Sequence, residues 1–272
     1  MSSNSLLYRY IFHGTRLSVD PAYQSYLTSI GLDDLSAWSG FDQGEALSVG
    51  KTVCLKVKPT TQADTVYFKR YLYKKNIWEF FLRRSKAANE FINYQRLKKL
   101  GIPTLETVAL YEQRSFGRLK FACIITQELP NTMQLDDFYQ QVLLKMPKKQ
   151  AEQVFKSLKT QLFQQLKKAH DAGFFHLDLK WRNILIQQHG DSYQAIWIDC
   201  PRGIQRRHFN HRLKVADLSG FSRKALSFFS PQQLYRMLRQ YLGQGSSKAE
   251  ARTLFVDIAK HLGRRLPQKQ NS

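Results

Sequence analysis

The chain has 272 residues, 43% of them hydrophobic and 13% aromatic, so it can bury a core and is not a disordered polar chain. Its 42 basic and 21 acidic residues give a net charge of +21, which favours nucleic acid, anionic membranes or phosphorylated substrates as partners. The 3 cysteines are widely spaced and form no Cys-x-x-Cys pair, so neither a zinc ribbon nor a disulfide framework is indicated.

The N-terminus lacks the pattern of a secretory signal, because Leu6 and Leu7 are followed at once by Tyr8 and Arg9. No run of about 18 apolar residues occurs, so we expect no membrane-spanning helix. Together with the cysteine content, these features predict a cytoplasmic protein.

The first third of the chain has the pattern of an α+β unit. Residues 52–58 alternate apolar and polar side chains, and residues 65–71 resume a β-rich run after a turn-like segment, 59–64. This pattern predicts a hairpin. A helix is predicted over residues 86–100, where Gly101 and Pro103 end it, and a buried strand over residues 121–128.

The pattern changes to helices after residue 128. Residues 151–170 have the pattern of a long amphipathic helix. Two short strands are predicted at 183–187 and 195–199, and two helices near 231–242 and 248–262. Strands first and helices later predict an α+β, two-lobed architecture. We place a small β-rich nucleotide-binding lobe at residues 1–128 and a larger helical catalytic lobe at residues 129–272.

The segment His176–Asn183, HLDLKWRN, matches the kinase catalytic loop at His, Asp, Leu, Lys and Asn. Phosphoryl transfer needs a carboxylate that orients the attacking hydroxyl and accepts its proton, a role that suits Asp178. An acid and an amide must hold Mg²⁺ against ATP, which suits Asp199, at the end of an apolar strand, and Asn183. Lys180 can neutralise charge on the transferred phosphate. Any one of these residues alone would indicate only a loop, whereas the combination predicts an ATP- and Mg²⁺-dependent kinase.

A second part of the nucleotide site is predicted upstream. Residues 66–69, Val-Tyr-Phe-Lys, fit the strand whose lysine contacts the α- and β-phosphates of ATP. Glu90 lies on the inward face of the next helix and is the natural partner of Lys69, with Glu79 as a weaker competitor. Without the catalytic loop, Lys69 could equally be an ordinary strand lysine and Glu90 a solvated helix residue.

The glycines and the basic tracts carry weaker signals. Gly40, Gly44 and Gly50 precede the first clear strand, but their spacing is not Gly-x-Gly-x-x-Gly, so the phosphate-covering loop is not located. Residues 69–84 are basic and aromatic, as in a membrane-surface patch or in a solvated loop. Residues 202–214 form a second basic tract after Asp199, where contact with a substrate phosphate or acidic sugar is an equal alternative to a solvated surface.

With these motifs in place, the chain resembles the lipopolysaccharide kinase family of the Kdo/WaaP type, small bacterial relatives of the eukaryotic protein kinases. The resemblance extends over roughly residues 50–230 and rests on the segments 66–71, 89–91, 100–104, 176–185, 196–199 and 212–218. It implies a protein-kinase-like fold and the transfer of the γ-phosphoryl group of ATP to a heptose or Kdo hydroxyl of the lipopolysaccharide inner core. The implied partner is the lipid-linked core glycan, at the cytoplasmic face of the inner membrane, which leaves peripheral attachment to its anionic surface open.

The sequence departs from the protein-kinase pattern in ways that disfavour a protein acceptor. Leu177 replaces the arginine of His-Arg-Asp, and Asp199-Cys200-Pro201 stands in place of Asp-Phe-Gly. In protein kinases the segment that ends in an Ala-Pro-Glu triplet docks the protein substrate. No such triplet follows Asp199 in this chain. Asp217 resembles the buried acid that supports the catalytic loop from a later helix.

Three alternatives to a sugar kinase stay open. An atypical protein kinase has the same motifs, and a catalytically silent kinase fold could act as a scaffold, although the intact Lys, Asp, Asn and Asp set argues against it. Binding of nucleic acid rests on net charge alone, and no reading motif supports it. The sequence leaves the modified sugar and the oligomeric state open.

Overall fold

The structure is a computed structural model that forms two compact units. One is drawn from residues 1–95 and 105–129, and the other from residues 96–104 and 130–272. The described residues are 15–50, 52–58, 65–73, 80–81, 83–207, 210–243 and 245–263, without the side chains of Thr15 and Arg16.

The first unit is built on a six-stranded sheet whose neighbouring strands are all antiparallel, in the order β1-β5-β6-β4-β3-β2. Two short helices follow β1, and a longer helix begins after β4. The strands are β1 (Thr15–Val19), β2 (Glu45–Ser48), β3 (Thr52–Val57), β4 (Val66–Tyr71), β5 (Thr107–Ser115) and β6 (Arg118–Gln127), and the helices are α1 (Gln24–Ser29), α2 (Ala37–Gly40) and α3 (Lys86–Lys99).

One face of this sheet covers the hydrophobic core of the first unit. Val53 and Leu55 of β3 and Phe68 of β4 are buried there with Trp38 and Phe41 from the segment around α2. The indole of Trp38 lies 5.3 Å from the ring of Tyr111 on β5, between ring centroids. Burial of these aromatic rings supplies much of the energy that holds the short N-terminal helices on the sheet.

The opposite face of the sheet carries polar side chains. Alternation along β3 and β4 places Cys54 and Lys56 beside Tyr67 and Lys69, with Cys54 opposite Lys69 and Lys56 opposite Tyr67. These four side chains are half-buried. The face of the sheet turned away from Trp38 and Phe41 is therefore the face that presents Lys69.

The second unit contains the long helix α4, two small antiparallel sheets and three closing helices. Leu158, Leu162, Leu166 and Ala169 form the predicted apolar stripe of α4 and are buried. The strands β10-β9-β7 form one sheet, and β11-β8 form the other. The elements are β7 (Thr132–Gln134), α4 (Lys148–Asp171), β8 (Phe174–Phe175), β9 (Ile184–His189), β10 (Ser192–Trp197), β11 (Ile204–Gln205), α5 (His211–Ala225), α6 (Pro231–Leu242) and α7 (Lys248–Gly263).

Short helical turns join β7 to α4. Leu135–Asp137 is α-helical, Phe138–Val142 is π-helical and Leu143–Lys145 is a 3₁₀ turn. The start of α6 follows directly from sequence, because Ser230 and Gln233 form a capping box and Pro231 occupies the first turn.

Two glutamines of α4 cover the free edge of β10. The side-chain amides of Gln161 and Gln165 donate to the backbone carbonyls of Tyr193 and Ala195, each at 2.9 Å. The N–H of Ala195 donates in return to Gln161 Oε1 at 3.3 Å. Because β10 is an edge strand, these bonds satisfy backbone groups that would otherwise face solvent or another strand.

The predicted α+β class is confirmed. The predicted hairpin, the helix over 86–100, the long helix over 151–170 and the two C-terminal helices are all present, with ends that move by a few residues. The turn-like segment 59–64 lies outside the described residues. Within the described part of the chain, no helix has the length and apolar character needed to cross a bilayer.

Candidate active site

The first unit holds Lys69 and Glu90 as an ion pair. The ammonium of Lys69 lies 3.0 Å from Glu90 Oε1 and 3.1 Å from Oε2. Glu90 is 1% exposed, and it also accepts hydrogen bonds from the hydroxyl of Tyr94, at 2.6 Å, and from the hydroxyl of Tyr71. The carboxylate is fully partnered, and these contacts offset the cost of its burial.

Regular secondary structure produces this pair. Lys69 and Tyr71 alternate onto the polar face of β4, and Glu90 and Tyr94 are one helical turn apart on α3. The structure therefore brings together the two residues that the sequence pairs. Glu79, the competitor, lies outside the described residues.

The catalytic-loop residues meet in the second unit. The ammonium of Lys180 lies 2.6 Å from Asp178 Oδ1. The amide nitrogen of Asn183 donates to the Asp178 carbonyl at 2.8 Å and lies 3.3 Å from Oδ2. The carboxylate of Asp178 thus has one cation and one amide beside it, and its side chain is still 22% exposed. That exposure leaves it open to an incoming substrate.

Backbone hydrogen bonds join the loop to the residues around Asp199. The N–H of Ile198 donates to the Asn183 carbonyl at 3.0 Å, and a ring nitrogen of His176 lies 3.1 Å from the Ile198 carbonyl. Asp199 follows with a positive φ of +56°, which is uncommon for a residue with a side chain. Asp199 therefore has a fixed place next to the loop that carries Asp178 and Asn183.

Asp217 of α5 holds the backbone of this loop. Its carboxylate accepts the N–H of His176 at 2.7 Å and the N–H of Leu177 at 2.5 Å, and it is 1% exposed. Leu177 has a φ of +60°, a left-handed conformation that costs a leucine about 1–2 kcal/mol. The expected support of the loop by Asp217 is confirmed, and the two bonds maintain this strained backbone.

A glycine on the same helix completes this contact. A Cβ atom added at Gly220 would lie 3.3 Å from the carbonyl oxygen of Leu179. The absence of a side chain lets α5 approach the loop closely, which explains a glycine inside a helix despite its poor helix propensity.

The residues fit a magnesium–nucleotide complex by their donor chemistry. The amide nitrogen of Asn183 is used by Asp178, so the amide oxygen is the atom that can meet a cation, and Asp199 adds a carboxylate. No cluster of three or more His, Cys, Asp or Glu side chains suited to a metal occurs in the described residues. A nucleotide-bound Mg²⁺ does not need one, because phosphates and water complete its shell.

Gly40, Gly44 and Gly50, which precede the first clear strand in the sequence, differ in their structural roles. A Cβ at Gly44 would lie 2.5 Å from the Lys56 carbonyl oxygen, and Gly44 has a φ of +115°, so this glycine is needed for the backbone itself. Gly40 ends α2. Gly50 lies in the turn between β2 and β3, where an added Cβ would meet nothing within 4 Å.

The basic tract after Asp199 is largely at the surface. Arg202, Arg206, Arg207 and Arg212 are exposed. Lys214 is half-buried over the ring of Tyr241, and burial lowers its pKa. His211 contacts Asp257 at 2.8 Å, and His208 lies outside the described residues.

The other tract, 69–84, is described only in part. Arg83 and Arg84 are exposed, and Phe81 is 39% exposed, whereas residues 74–79 and 82 lie outside the described residues. The prediction of a membrane-surface or substrate patch there stays a prediction.

Sequence reasoning missed several partners of the site. The hydroxyls of Tyr71 and Tyr94 on Glu90, and the ring of His170 near Asp217, were not assigned. Tyr94 shares the helical face of Glu90 and Tyr71 the strand face of Lys69, so periodicity could have indicated the two tyrosines. No local pattern links His170 to Asp217.

Comparisons with known proteins address the family and the fold of the chain. The sequence profile of the Lipopolysaccharide kinase (Kdo/WaaP) family matches residues 51–241. No curated protein matches the chain significantly. A solved structure, "WaaP in complex with acyl carrier protein", is similar with a TM-score of 0.67 and 21% identity over 92% of this chain and 95% of that chain. The predicted kinase-like fold is confirmed.

Proposed function

Because the chain belongs to the lipopolysaccharide kinase (Kdo/WaaP) family, we propose that it phosphorylates a heptose or Kdo hydroxyl of the lipopolysaccharide inner core with ATP. The observation that carries the proposal is the loop in which Lys180 and Asn183 flank the partly exposed carboxylate of Asp178. A scaffold with no catalytic duty would not need a strained, fully anchored loop around an accessible carboxylate.

In this proposal Asp178 orients the acceptor hydroxyl and takes its proton. The sugar oxygen forms a bond to the γ-phosphorus, the bond from that phosphorus to the leaving oxygen of ADP breaks, and the proton ends on Asp178. Lys180, beside Asp178, balances negative charge on the transferred group. Asn183 and Asp199 would hold Mg²⁺, which supplies charge neutralisation on the phosphates when bound.

The first unit supplies the nucleotide contacts in this proposal. Lys69, kept in place by Glu90, meets the α- and β-phosphates. We therefore assign nucleotide binding to the predicted lobe of residues 1–128 and catalysis to the predicted lobe of residues 129–272.

Charge favours an anionic glycan as the acceptor. Four exposed arginines, Arg202, Arg206, Arg207 and Arg212, follow Asp199 in the chain, and the net charge is +21. The missing arginine at Leu177 and the absent Ala-Pro-Glu triplet disfavour a regulated protein kinase. We place the enzyme in the cytoplasm, at the anionic face of the inner membrane where its lipid-linked substrate is held.

Purified protein with γ-labelled ATP, Mg²⁺ and isolated core glycans tests the proposal. Label should enter a heptose-containing core or a core that ends in Kdo, and comparison of the two identifies the sugar. Asp178→Asn should lower the rate by at least about a thousandfold, because the base of the transfer is lost. Asp191→Asn, at an exposed aspartate of the β9–β10 turn, is the matched control.

Label that enters protein but neither glycan would show that the acceptor is wrong. Unchanged transfer by a folded Asp178→Asn variant would show that the assigned base is wrong. Failure of the wild-type chain to bind Mg²⁺–ATP, measured by thermal shift, would instead favour the scaffold alternative.

The solved WaaP structure is a complex with acyl carrier protein, so we propose an acyl carrier protein as a protein partner of this chain. Co-expression of the two followed by size-exclusion chromatography tests this partner. Co-elution would support it, and separate elution at micromolar concentration would contradict it.

A further inference from the structure

A buried set of hydrogen bonds leads from the catalytic loop to helix α6. Asp217, which accepts the N–H groups of His176 and Leu177, also contacts the imidazole of His170, whose Nε2 is 3.3 Å from Asp217 Oδ2. His170 Nδ1 is 2.8 Å from the hydroxyl of Tyr241. We call Tyr241, His170 and Asp217 the polar relay; they are 3%, 4% and 1% exposed, so water cannot replace a lost partner.

The direction of each hydrogen bond follows from the chemistry of the two ends. The carboxylate of Asp217 only accepts, so His170 Nε2 donates to it. In a neutral imidazole Nδ1 is then the acceptor, and the hydroxyl of Tyr241 donates to it. Burial, with the carboxylates of Asp171 and Asp217 nearby, raises the pKa of Tyr241, so its hydroxyl keeps the proton that this bond needs. Each group therefore fixes the orientation of the next.

The end of the relay is the strained backbone before Asp178. The left-handed Leu177 is held by its bond to Asp217, and it directly precedes the proposed catalytic base. If the carboxylate of Asp217 rotates, Leu177 can relax and Asp178 moves with it. The orientation of Asp217 is thus a condition for the position of Asp178.

Packing alone does not account for these polar groups. His170 stacks on Phe175 with ring centroids 5.2 Å apart and planes at 25°, and Tyr241 packs edge-on against Phe163. Phenylalanine in place of either residue would serve that packing without the cost of burying polar atoms.

We propose that His170 and Tyr241 are positioning residues, which act through Asp217 to hold the catalytic loop in its active conformation. The inference rests on the proposed function, because Asp178 is the group whose position it explains. Neither residue touches substrate in this proposal. They affect turnover more than nucleotide binding, since Lys69, which is proposed to meet the α- and β-phosphates, belongs to the first unit.

Steady-state kinetics with Tyr241→Phe and His170→Phe tests the relay. Each loses a hydrogen bond that orients the next group, so kcat should fall about threefold to tenfold in Tyr241→Phe and further in His170→Phe. KM for ATP should stay within about twofold. His170→Gln keeps a donor and an acceptor and should recover part of kcat.

The double variant and a matched control sharpen this test. Because Tyr241 acts only through His170, Tyr241→Phe should add no further loss to His170→Phe. Tyr235→Phe is the control, since Tyr235 is on the same helix and, among the described residues, its hydroxyl bonds only the exposed backbone carbonyl of Lys248, at 3.4 Å. Unchanged kcat in a folded Tyr241→Phe variant, or single effects that multiply in the double variant, would overturn the proposal.

Amide hydrogen exchange tests the relay without any assay of activity. The N–H groups of His176 and Leu177 should exchange at least about threefold faster in Tyr241→Phe than in the wild-type chain, and equally in Tyr235→Phe. If the wild-type chain transfers no phosphate but this difference is found, only the proposed function fails. If His176 and Leu177 remain equally protected in Tyr241→Phe, the relay fails even when the wild-type enzyme is active.

Discussion

Each unit of the molecule holds a lysine–carboxylate pair, and the two pairs are built in opposite ways. Lys69 and Glu90 are attached to a strand and a helix, and Glu90 is almost fully buried. Lys180 and Asp178 are on an irregular loop, and both side chains keep solvent exposure, 36% and 22%. Neighbouring side chains hold the first pair in place, whereas the second pair is positioned by hydrogen bonds to the backbone of its loop.

This difference matches the two duties that we propose. A residue that only binds phosphate gains from a rigid, charged partner such as Glu90, with Tyr71 and Tyr94 around it. A carboxylate that accepts a proton must stay accessible, so its position is better fixed through the chain than through neighbours that would cover it. Asp217 supplies that support, because its carboxylate accepts the backbone N–H groups of His176 and Leu177.

Among the changes that leave Asp178 itself intact, the largest effect is expected where the backbone of the loop is held, because stability and activity both fall. Asp217→Asn places an amide against two backbone N–H donors, which should lower the free energy of unfolding by roughly 2–4 kcal/mol. Displacement of Asp178 should lower kcat by about a hundredfold. Urea unfolding and the kinase assay measure the two effects. Asp257→Asn, which loses a contact with the exposed His211, is the control, and a folded Asp217→Asn variant with normal kcat would refute this account.

Loss of the buried pair in the first unit should come next. Lys69→Met removes the cation proposed to meet the phosphates, and kcat/KM for ATP should fall about a hundredfold while the loop of the second unit is untouched. Lys56→Met is the matched control, since Lys56 lies on the same face of the sheet and pairs with Glu128 at 2.5 Å. Equal losses in the two variants would show that Lys69 has no special role.

The smallest effect is expected at the Lys56–Glu128 pair itself. Partial burial opposes ionisation of Glu128, but hydrogen bonds from Lys56 and Tyr67 outweigh it and lower its pKa below the ordinary value of 4.5. The pair therefore stabilises the fold above pH 4.5, and this contribution is lost as the pH falls through the lowered pKa.

Glu128→Gln tests this pH dependence of stability. At pH 7 it should lower the free energy of unfolding by less than about 1 kcal/mol, because both side chains are partly exposed, 24% for Lys56 and 23% for Glu128. The difference from the wild-type chain should shrink in urea titrations below pH 4.5. A difference that grows in acid would contradict the assigned shift.

The same contrast explains what the sequence could predict. The period of a strand and of a helix is written in local sequence, so the Lys69–Glu90 pair followed from two short patterns. The catalytic loop was found by residue identity at fixed spacing, which names the side chains but not their backbone. The positive φ of Leu177 and of Asp199 could not be inferred, since leucine rarely adopts that conformation and the enrichment of aspartate there is too weak to predict a single position.

Contacts distant in sequence were mostly beyond prediction. Asp217 was expected to support the loop, but the bounds of α5 were not predicted, because Gly220 and the basic residues at its start obscure the helical pattern. The glycine that interrupts the pattern is explained only by the nearby Leu179 carbonyl. Strands β1 and β5 were also missed, and they pair with each other over a long separation in sequence.

The two glutamines of α4 that cover the edge of β10 have a consequence for the position of Asp199. Side chains alternate between the faces of a strand, so a slip of β10 by one residue would turn the following segment over. Gln161 and Gln165 are one helical turn apart, and they bond carbonyls that are two residues apart on the strand. One turn of α4 therefore matches two residues of β10, and this match fixes the register of the strand. The register in turn determines the face of the strand from which the side chain of Asp199 follows.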